Sequence, residues 1–334
     1  MRAKKVKLAE LFSRCGITRL FQKHSRPGLI IINYHRLKEN DIATDFFEGV
    51  YGPNIGLFEK QMRWLAENTD VLSEDDLLDF VNGQKPFPKR SVIVTFDDGY
   101  IDNYTLAYPL LKTLNLPAIF FISTRLIKKR HLGWWDIIDY MIKRSGKNSI
   151  RFKGEKIQIE SKEEKKDAAN TLRAHICNTA DCDPKLVLDN LSFETDVDYP
   201  SLKSQDKELM SWEQINEVEM NGIRIGSHTH THKILSTLDI GEQMTEMEIS
   251  KRVLEENLRT TIKSIAYPVG NNKTFTEETK KVAKDSGYQL GFSFVAGSYR
   301  DRIVDPYEIK RISPHSSFEF FKMSVLQPDF FIYK

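Results

Sequence analysis

Two short stretches carry residues able to do chemistry. In VTFDDGY, residues 94–100, an apolar run ends in two adjacent carboxylates, Asp97 and Asp98. In GSHTHTH, residues 226–232, His228, His230 and His232 alternate directly after another apolar run. Each stretch has an ordinary explanation: Asp-Gly is a common turn, and a single histidine is more often a satisfied structural residue than a ligand. Three histidines so close together at a strand end go beyond it. His228 and His232, four apart, share one side of a helical turn, while His228 and His230, two apart, share one face of a strand. Either geometry holds a metal. Imidazoles with a carboxylate suit zinc or a related first-row ion, with a position left open for water. Adjacent acids with divergent side chains divide the labour: one binds the cation and the other stays free as a base.

These residues need a scaffold that brings them together. SVIVTF (91–96) and the start of GLIIINYHRL (28–37) read as buried strands, as do PAIFFIST (117–124), IRIGSH, SIAYPVG (264–270) and QLGFSFV (289–295). Helical patterns lie between them at 58–68, 73–83, 103–115, 211–222, 245–259 and 276–287, with Ser73 and Ser211 as N-caps. Strands alternating with helices imply an α/β protein with a parallel sheet, open or closed into a barrel. Asp97 and Asp98 then sit at the C-terminal edge of that sheet, where such enzymes keep their sites. Residues 125–210 break the rhythm and read as a helical insertion lying over one face. It includes a helix at GWWDIIDYMIKR and the charged stretch KGEKIQIESKEEKKDAANTLRAHI.

The 334 residues carry a net charge of +2, so basic residues are matched by acidic ones and nucleic acid is not an expected partner. Three unpatterned cysteines fit a reducing compartment, and no apolar run reaches the roughly 20 residues of a membrane helix. The N-terminus is basic but lacks the apolar core of a secretory signal, so the expected location is cytoplasmic. Leu8, Leu11, Phe12 and Cys15 recur at helical spacing among lysines and arginines. Residues 1–27 form a basic amphipathic segment, and two readings of it stand: residues 1–25 lie on the inner membrane surface, or the same stripe docks on the protein.

TFDDGY and HTHTH together resemble the first two signature stretches of the NodB-type polysaccharide deacetylases, carbohydrate esterases that remove acetyl groups from N-acetylated sugars. AYPVG (266–270) is similar to the third. The resemblance implies a distorted (β/α) barrel over 28–334, with the insertion at about 125–210. It implies Asp97 as base, and Asp98, His228 and His232 as ligands of a divalent metal, most simply zinc, with His230 a bystander. It places an oxyanion-binding N–H at Val269. SIAYPVG lacks the arginine that orients the base in this family, and Arg311 in EIKRIS is the replacement; the alternative for Arg311 is a surface cation. The family's late general-acid histidine has no counterpart near the C-terminus beyond His315. His35, ending the first strand, resembles the acid of the permuted branch that includes poly-N-acetylglucosamine deacetylases, and it takes that role here.

The reaction so implied is hydrolysis of an N-acetyl amide on an amino sugar in a polysaccharide or glycan precursor. Tyr100, Trp134, Trp135 and Tyr267 are candidates to stack on sugar faces; the alternative for each is core packing, which a ring with a polar edge serves equally well. Two other functions compete: a metal hydrolase acting on a C–N bond outside carbohydrates, and a non-catalytic sugar-binding module. The intact Asp97, Asp98, His228 and His232 set argues against the last.

Overall fold

The computed structural model describes residues 2–24, 28–39, 44–86, 88, 90–179, 182–201, 205 and 207–332. The expected break between an N-terminal segment and the rest, at 27/28, adjoins residues 25–27, which lie outside the described set. Eleven strands follow in chain order: β1 Leu29–Tyr34, β2 Arg36–Lys38, β3 Tyr51–Asn54, β4 Asp70–Val71, β5 Ser91–Phe96, β6 Ile119–Ile122, β7 Ser149–Phe152, β8 Glu155–Gln158, β9 Arg224–Ser227, β10 Ser264–Ala266 and β11 Leu290–Phe292. The main sheet runs β1-β5-β6-β9-β10-β11, all parallel, with β4 beside the start of β5. Every residue of β1, β5, β6, β10 and β11 is buried. Continuous apolar runs, rather than alternating ones, are what a parallel sheet covered on both faces requires.

The sheet curls into a half-barrel, and an irregular segment spans its open side. Residues 309–312 bridge β11 to β1: Phe292 pairs with Ile309, and Ile32 with Ile312, both in parallel sense. The Ile312 N–H donates to the Ile31 carbonyl at 2.9 Å, and the Asn33 N–H to the Ile312 carbonyl at 2.9 Å. Arg311 lies between these bridges, so this closure carries its side chain into the barrel.

The expected caps are present. Ser73, Ser211 and Thr276 each accept from the N3 amide of the helix that follows, in reciprocal capping boxes. The helix expected over 103–115 is not uniform. Residues Asn103–Ala107 form a π-helical turn, and an α-helix resumes at Tyr108–Thr113. Pro109 supplies no N–H and its ring crowds the carbonyl four residues back, which favours a widened turn. The insertion contains helices at Thr124–Lys129, Trp134–Arg144, Lys162–Asn178 and Pro184–Thr195. It is not wholly helical: β7 and β8 form an antiparallel hairpin. Its turn places Lys153 and Gly154 at positive φ, 53° and 82°, the backbone of a tight two-residue hairpin.

At the N-terminus, helices Arg2–Arg14 and Ile17–His24 pack on the protein, the first against helix Phe318–Leu326. Ala9 is fully buried and Val6, Phe12 and Phe21 pack on the core, whereas Leu11 and Cys15 are exposed. The docking stripe is therefore rotated from the one the spacing suggests, with Phe12 common to both. The Lys5 ammonium donates to the Phe330 carbonyl at 2.6 Å and Arg90 to the Gln22 carbonyl at 2.9 Å, fixing both helices.

Glu74 heads the helix Glu74–Val81, is buried, and accepts from the Ser264 hydroxyl on β10. Burial pushes its pKa up from 4.5 to about 7. The folded protein thus keeps a proton that the unfolded chain releases, so stability is lost as pH rises from 4.5 to about 7, by up to about 3 kcal/mol. Glu74→Gln removes that titration. Its melting temperature should match wild type near pH 4.5 and exceed it by several degrees above pH 7; scanning calorimetry across that range tests this, and a constant difference would refute it.

Candidate active site

β5 ends at Phe96 and delivers Asp97 and Asp98 to the C-terminal edge of the sheet. Asp98 and Gly99 then turn the chain at φ 77° and 81°, a region aspartate and glycine tolerate best. His228 follows β9 directly, and the loop after it turns back through Thr229 and His232 at φ 62° and 58°. Such left-handed residues cost of order 1–3 kcal/mol each and persist where surroundings hold them. Here Glu246 accepts from both the amide and the hydroxyl of Thr231, and the Thr229 hydroxyl accepts from the His232 amide at 3.2 Å.

The two edges bring Asp98, His228 and His232 together, all buried, with their ligand atoms within 4.8 Å of one another. His228 Nε2 lies 3.5 Å and His232 Nε2 3.3 Å from Asp98 Oδ1. That oxygen is buried and has no hydrogen-bond partner among the described residues. The Nδ1 of His228 bonds the Ala266 carbonyl at 2.8 Å, which fixes Nδ1 as the protonated nitrogen and turns the Nε2 lone pair toward Asp98. Burial, with His232 beside it, pulls the His228 pKa down to about 4, so the ring is neutral. An orphaned carboxylate oxygen facing two imidazole nitrogens fits a divalent cation. His230 stands outside the group, its Nδ1 paired with the Thr124 hydroxyl at 2.8 Å.

Asp97 has different partners. Arg311, 1% exposed, grips it through two nitrogens: Nη1 to Oδ1 at 2.7 Å and Nη2 to Oδ2 at 2.9 Å. Asn33 Nδ2 donates to Oδ2 at 2.9 Å, while Asn33 Oδ1 accepts from Arg311 and from Thr95. Burial by itself would raise the Asp97 pKa; the Arg311 guanidinium, with His228 and His35 nearby, outweighs it and holds the carboxyl well below its usual range. Arg311 is thus no surface cation, and it faces Asp97.

His35 sits at the end of β1, partly exposed, with Nε2 3.8 Å from Asp97 Oδ2. Its backbone is pinned, because Asn103 Nδ2 in the π-helical turn donates to the His35 carbonyl at 2.7 Å. Asp102 next to it accepts from the Leu37 amide and from Arg36. His315 is engaged elsewhere: its Nδ1 accepts from the Ser317 amide at 2.9 Å and its ring packs on Phe320.

Tyr100 and Tyr267 are 1% and 0% exposed, so neither offers a face to a sugar. The Tyr100 hydroxyl donates to Asp136 Oδ2 at 2.7 Å and accepts from Trp135 Nε1 at 2.8 Å. The Tyr267 hydroxyl donates to the Tyr307 carbonyl at 2.9 Å, and its ring stacks on Phe275. Trp135 is also buried, its ring centroid 4.2 Å from that of His232. Val269 stands at φ 60° beside Gly270 in the turn after β10, an outlier for a β-branched residue; no hydrogen bond to its amide is present among the described residues. Three contributors escape the sequence reading: Asn33, Asn103 and the Tyr100–Trp135–Asp136 chain. Asn33 alone left a signal, as a polar residue inside the apolar run LIIINY.

A model of the polysaccharide deacetylase family matches residues 84–291. A Bacillus subtilis (strain 168) relative named as a polysaccharide deacetylase, YxkH, is 26% identical over 263 residues, 78% of this chain and 65% of its own length. A poly-β-1,6-N-acetyl-D-glucosamine N-deacetylase of Staphylococcus epidermidis is 31% identical over 120 residues, 33% of this chain and 39% of its own length. Both alignments therefore span less than two thirds of the relative. Among solved structures, a Streptococcus pyogenes deacetylase in complex with acetate superposes with a TM-score of 0.59 at 20% identity, covering 90% of this chain and 100% of that one. IcaB from Ammonifex degensii superposes with a TM-score of 0.57 at 18% identity, covering 91% and 98%. At these identities the superpositions show the fold, and they match the curled parallel sheet.

Two measurements follow. His228→Ala and His232→Ala should each lose bound divalent metal by elemental analysis while His230→Ala retains it; equal content in all three would remove the site. Arg311→Met leaves a buried carboxylate without its cation and should cost about 3–5 kcal/mol in urea unfolding, most of it recovered when Asp97→Asn is added; no recovery in the double variant would show that the pair is not the cause.

Proposed function

The chain belongs to the polysaccharide deacetylase family, and from that premise we propose that it hydrolyses the N-acetyl amide of an amino sugar within a glycan. The observation that carries this is the division between the two adjacent acids. Asp97 is held ionised by Arg311, whereas Asp98 leaves a bare oxygen beside the imidazoles of His228 and His232. In this reading Asp98, His228 and His232 hold the metal, with zinc favoured by the ligand set. When bound, the ion supplies Lewis acidity, polarising the amide carbonyl and acidifying water. The names of the Staphylococcus relative and its counterparts favour a poly-N-acetylglucosamine substrate.

Each protein group then has a task. Asp97 is ionised across the physiological range and takes a proton from the water that adds to the acetyl carbon. Its two nitrogen clamps fix the direction of its lone pairs. The Val269 amide donates to the oxygen that gains charge. His35, partly exposed and with Nε2 3.8 Å from Asp97, gives a proton to the sugar nitrogen as the C–N bond breaks. Acetate and a free amine leave. Asn103 pins the His35 backbone at the end of β1 by donating to its carbonyl.

The setting we favour is the cytoplasm, on the three free thiols, and no described helix is long and apolar enough to cross a membrane. The N-terminal helices dock, yet they still expose Leu11 and Leu20 among Lys4, Lys7, Arg14 and Arg19. That surface suits salt-sensitive contact with anionic lipid.

Mass spectrometry of N-acetylglucosamine oligomers incubated with metal-loaded protein is the direct test. Loss of acetyl groups supports the reading, and turnover only on non-carbohydrate amides sinks it. Asp97→Asn with Arg311→Met, a pair that keeps the core neutral, should bind metal and release no acetate. His35→Ala should lose about a hundredfold or more on the amide and recover on an activated aryl ester, whose leaving group needs no proton; equal losses on both would remove the acid role.

A further inference from the structure

His232 lacks a tie that His228 has. The Nδ1 of His228 bonds the Ala266 carbonyl, as the outward nitrogen of a metal-bound imidazole ordinarily bonds a carbonyl or carboxylate. The Nδ1 of His232 is buried and has no hydrogen-bond partner among the described residues, although its Nε2 faces Asp98 at 3.3 Å. Its backbone is also left-handed, at φ 58°. Something other than a hydrogen bond must hold the plane of this ring.

The surface that meets it is an indole. The Trp135 and His232 ring centroids lie 4.2 Å apart with the planes tilted at 47°, and the His228 ring meets His232 edge to face at 4.8 Å. Trp135 is buried and is itself immobilised. Its Nε1 donates to the Tyr100 hydroxyl at 2.8 Å, that hydroxyl donates to Asp136 Oδ2 at 2.7 Å, and Asp136 Oδ1 accepts from the Phe47 amide at 3.0 Å. The guanidinium of Arg36, next in the chain to His35, lies 4.4 Å from the Tyr100 ring centroid. The indole also packs on Gly133, the residue that precedes its helix, where a Cβ would come within 2.2 Å of the ring. A flat ring packed this closely restricts rotation of the imidazole, so less ordering is left to be done when a cation binds.

We propose that Trp135 is the positioning residue for His232: the indole face fixes the imidazole plane that a hydrogen bond fixes in His228, and through it the insertion sets how tightly the metal is held. The inference rests on the reading of Asp98, His228 and His232 as metal ligands. It goes beyond that reading by making a residue with no ligand atom a determinant of affinity.

The test is Zn2+ affinity of the full chain, by competition with a chromophoric chelator, together with the visible spectrum of the Co2+-loaded protein. Both are measured well below the melting temperatures of the metal-free variants. Trp135→Leu fills space without a flat face and should weaken Zn2+ binding about ten- to hundredfold, the range typical when a contact that orients a ligand is lost, and shift the Co2+ bands. Trp135→Phe keeps a ring and loses the N–H anchor, and should lose less. Gly133→Ala displaces the indole while leaving every ligand in place, and should weaken binding in the same direction. A purely structural role would lower the melting temperature of the metal-free variants and leave affinity alone. Wild-type affinity in Trp135→Leu overturns the proposal, as does an equal loss in the leucine and phenylalanine variants. If the leucine variant does not fold, wild-type affinity in Gly133→Ala overturns it instead. A wild-type protein that binds no Zn2+ overturns the metal-site reading, and the positioning role with it.

Discussion

The buried pair between Arg311 and Asp97 is the constraint on which the rest of the molecule depends. Neither charge reaches solvent, so each would be ruinous without the other. The guanidinium donates to both carboxylate oxygens, Asn33 donates to Asp97 and accepts from Arg311, and Arg311 Nε donates to the Ser293 carbonyl. For Arg311 to arrive there, residues 309–312 must cross from β11 to β1. The segment that closes the half-barrel therefore also delivers the counter-charge of Asp97.

The same arrangement separates two chemically identical neighbours. Asp97 has a fixed counter-charge and a full set of hydrogen bonds; Asp98 retains an oxygen with none, beside His228 and His232. Environment, not residue type, sets the two carboxylates apart. The turn at Asp98 makes this happen, because its positive φ sends the two side chains in different directions from consecutive positions. A shell of second contacts then removes freedom from the rest: Ala266 orients His228, Glu246 holds the loop before His232, and Asn103 holds His35.

What could be read from the chain alone divides along the distance between partners. Asp97, Asp98 and the histidine loop were legible because each signal is local: an apolar run, then polar residues at a spacing with few other uses. Two helix starts were legible for the same reason, since Ser73 and Ser211 advertise their caps, whereas the helices capped by Asn54 and Asp239 begin three and five residues before the expected 58 and 245. His35 and Arg311 lie 62 and 214 residues from Asp97, and only resemblance to a family singled them out. The hairpin β7–β8 was hidden by its charge; its signal was the Lys153–Gly154 turn between alternating residues. Tyr100 and Tyr267 looked like sugar platforms because an aromatic ring with a polar edge reads the same inside and out. Their hydroxyls turned out to be spent on Asp136 and on the Tyr307 carbonyl, a matter of three-dimensional neighbours.

Thr229 and Val269 hold left-handed backbone angles that their β-branched side chains disfavour; Thr229 lies in the metal-binding loop and Val269 in the turn after β10, whose Ala266 carbonyl orients His228. Selection for heat resistance and selection for turnover would pull these positions in opposite directions. Glycine at Thr229 or Val269 would relax the backbone and free the loop in the same substitution. A lineage drifting toward a more robust protein has an easy path here, and it ends in a well-folded barrel whose metal-binding loop is no longer held in place.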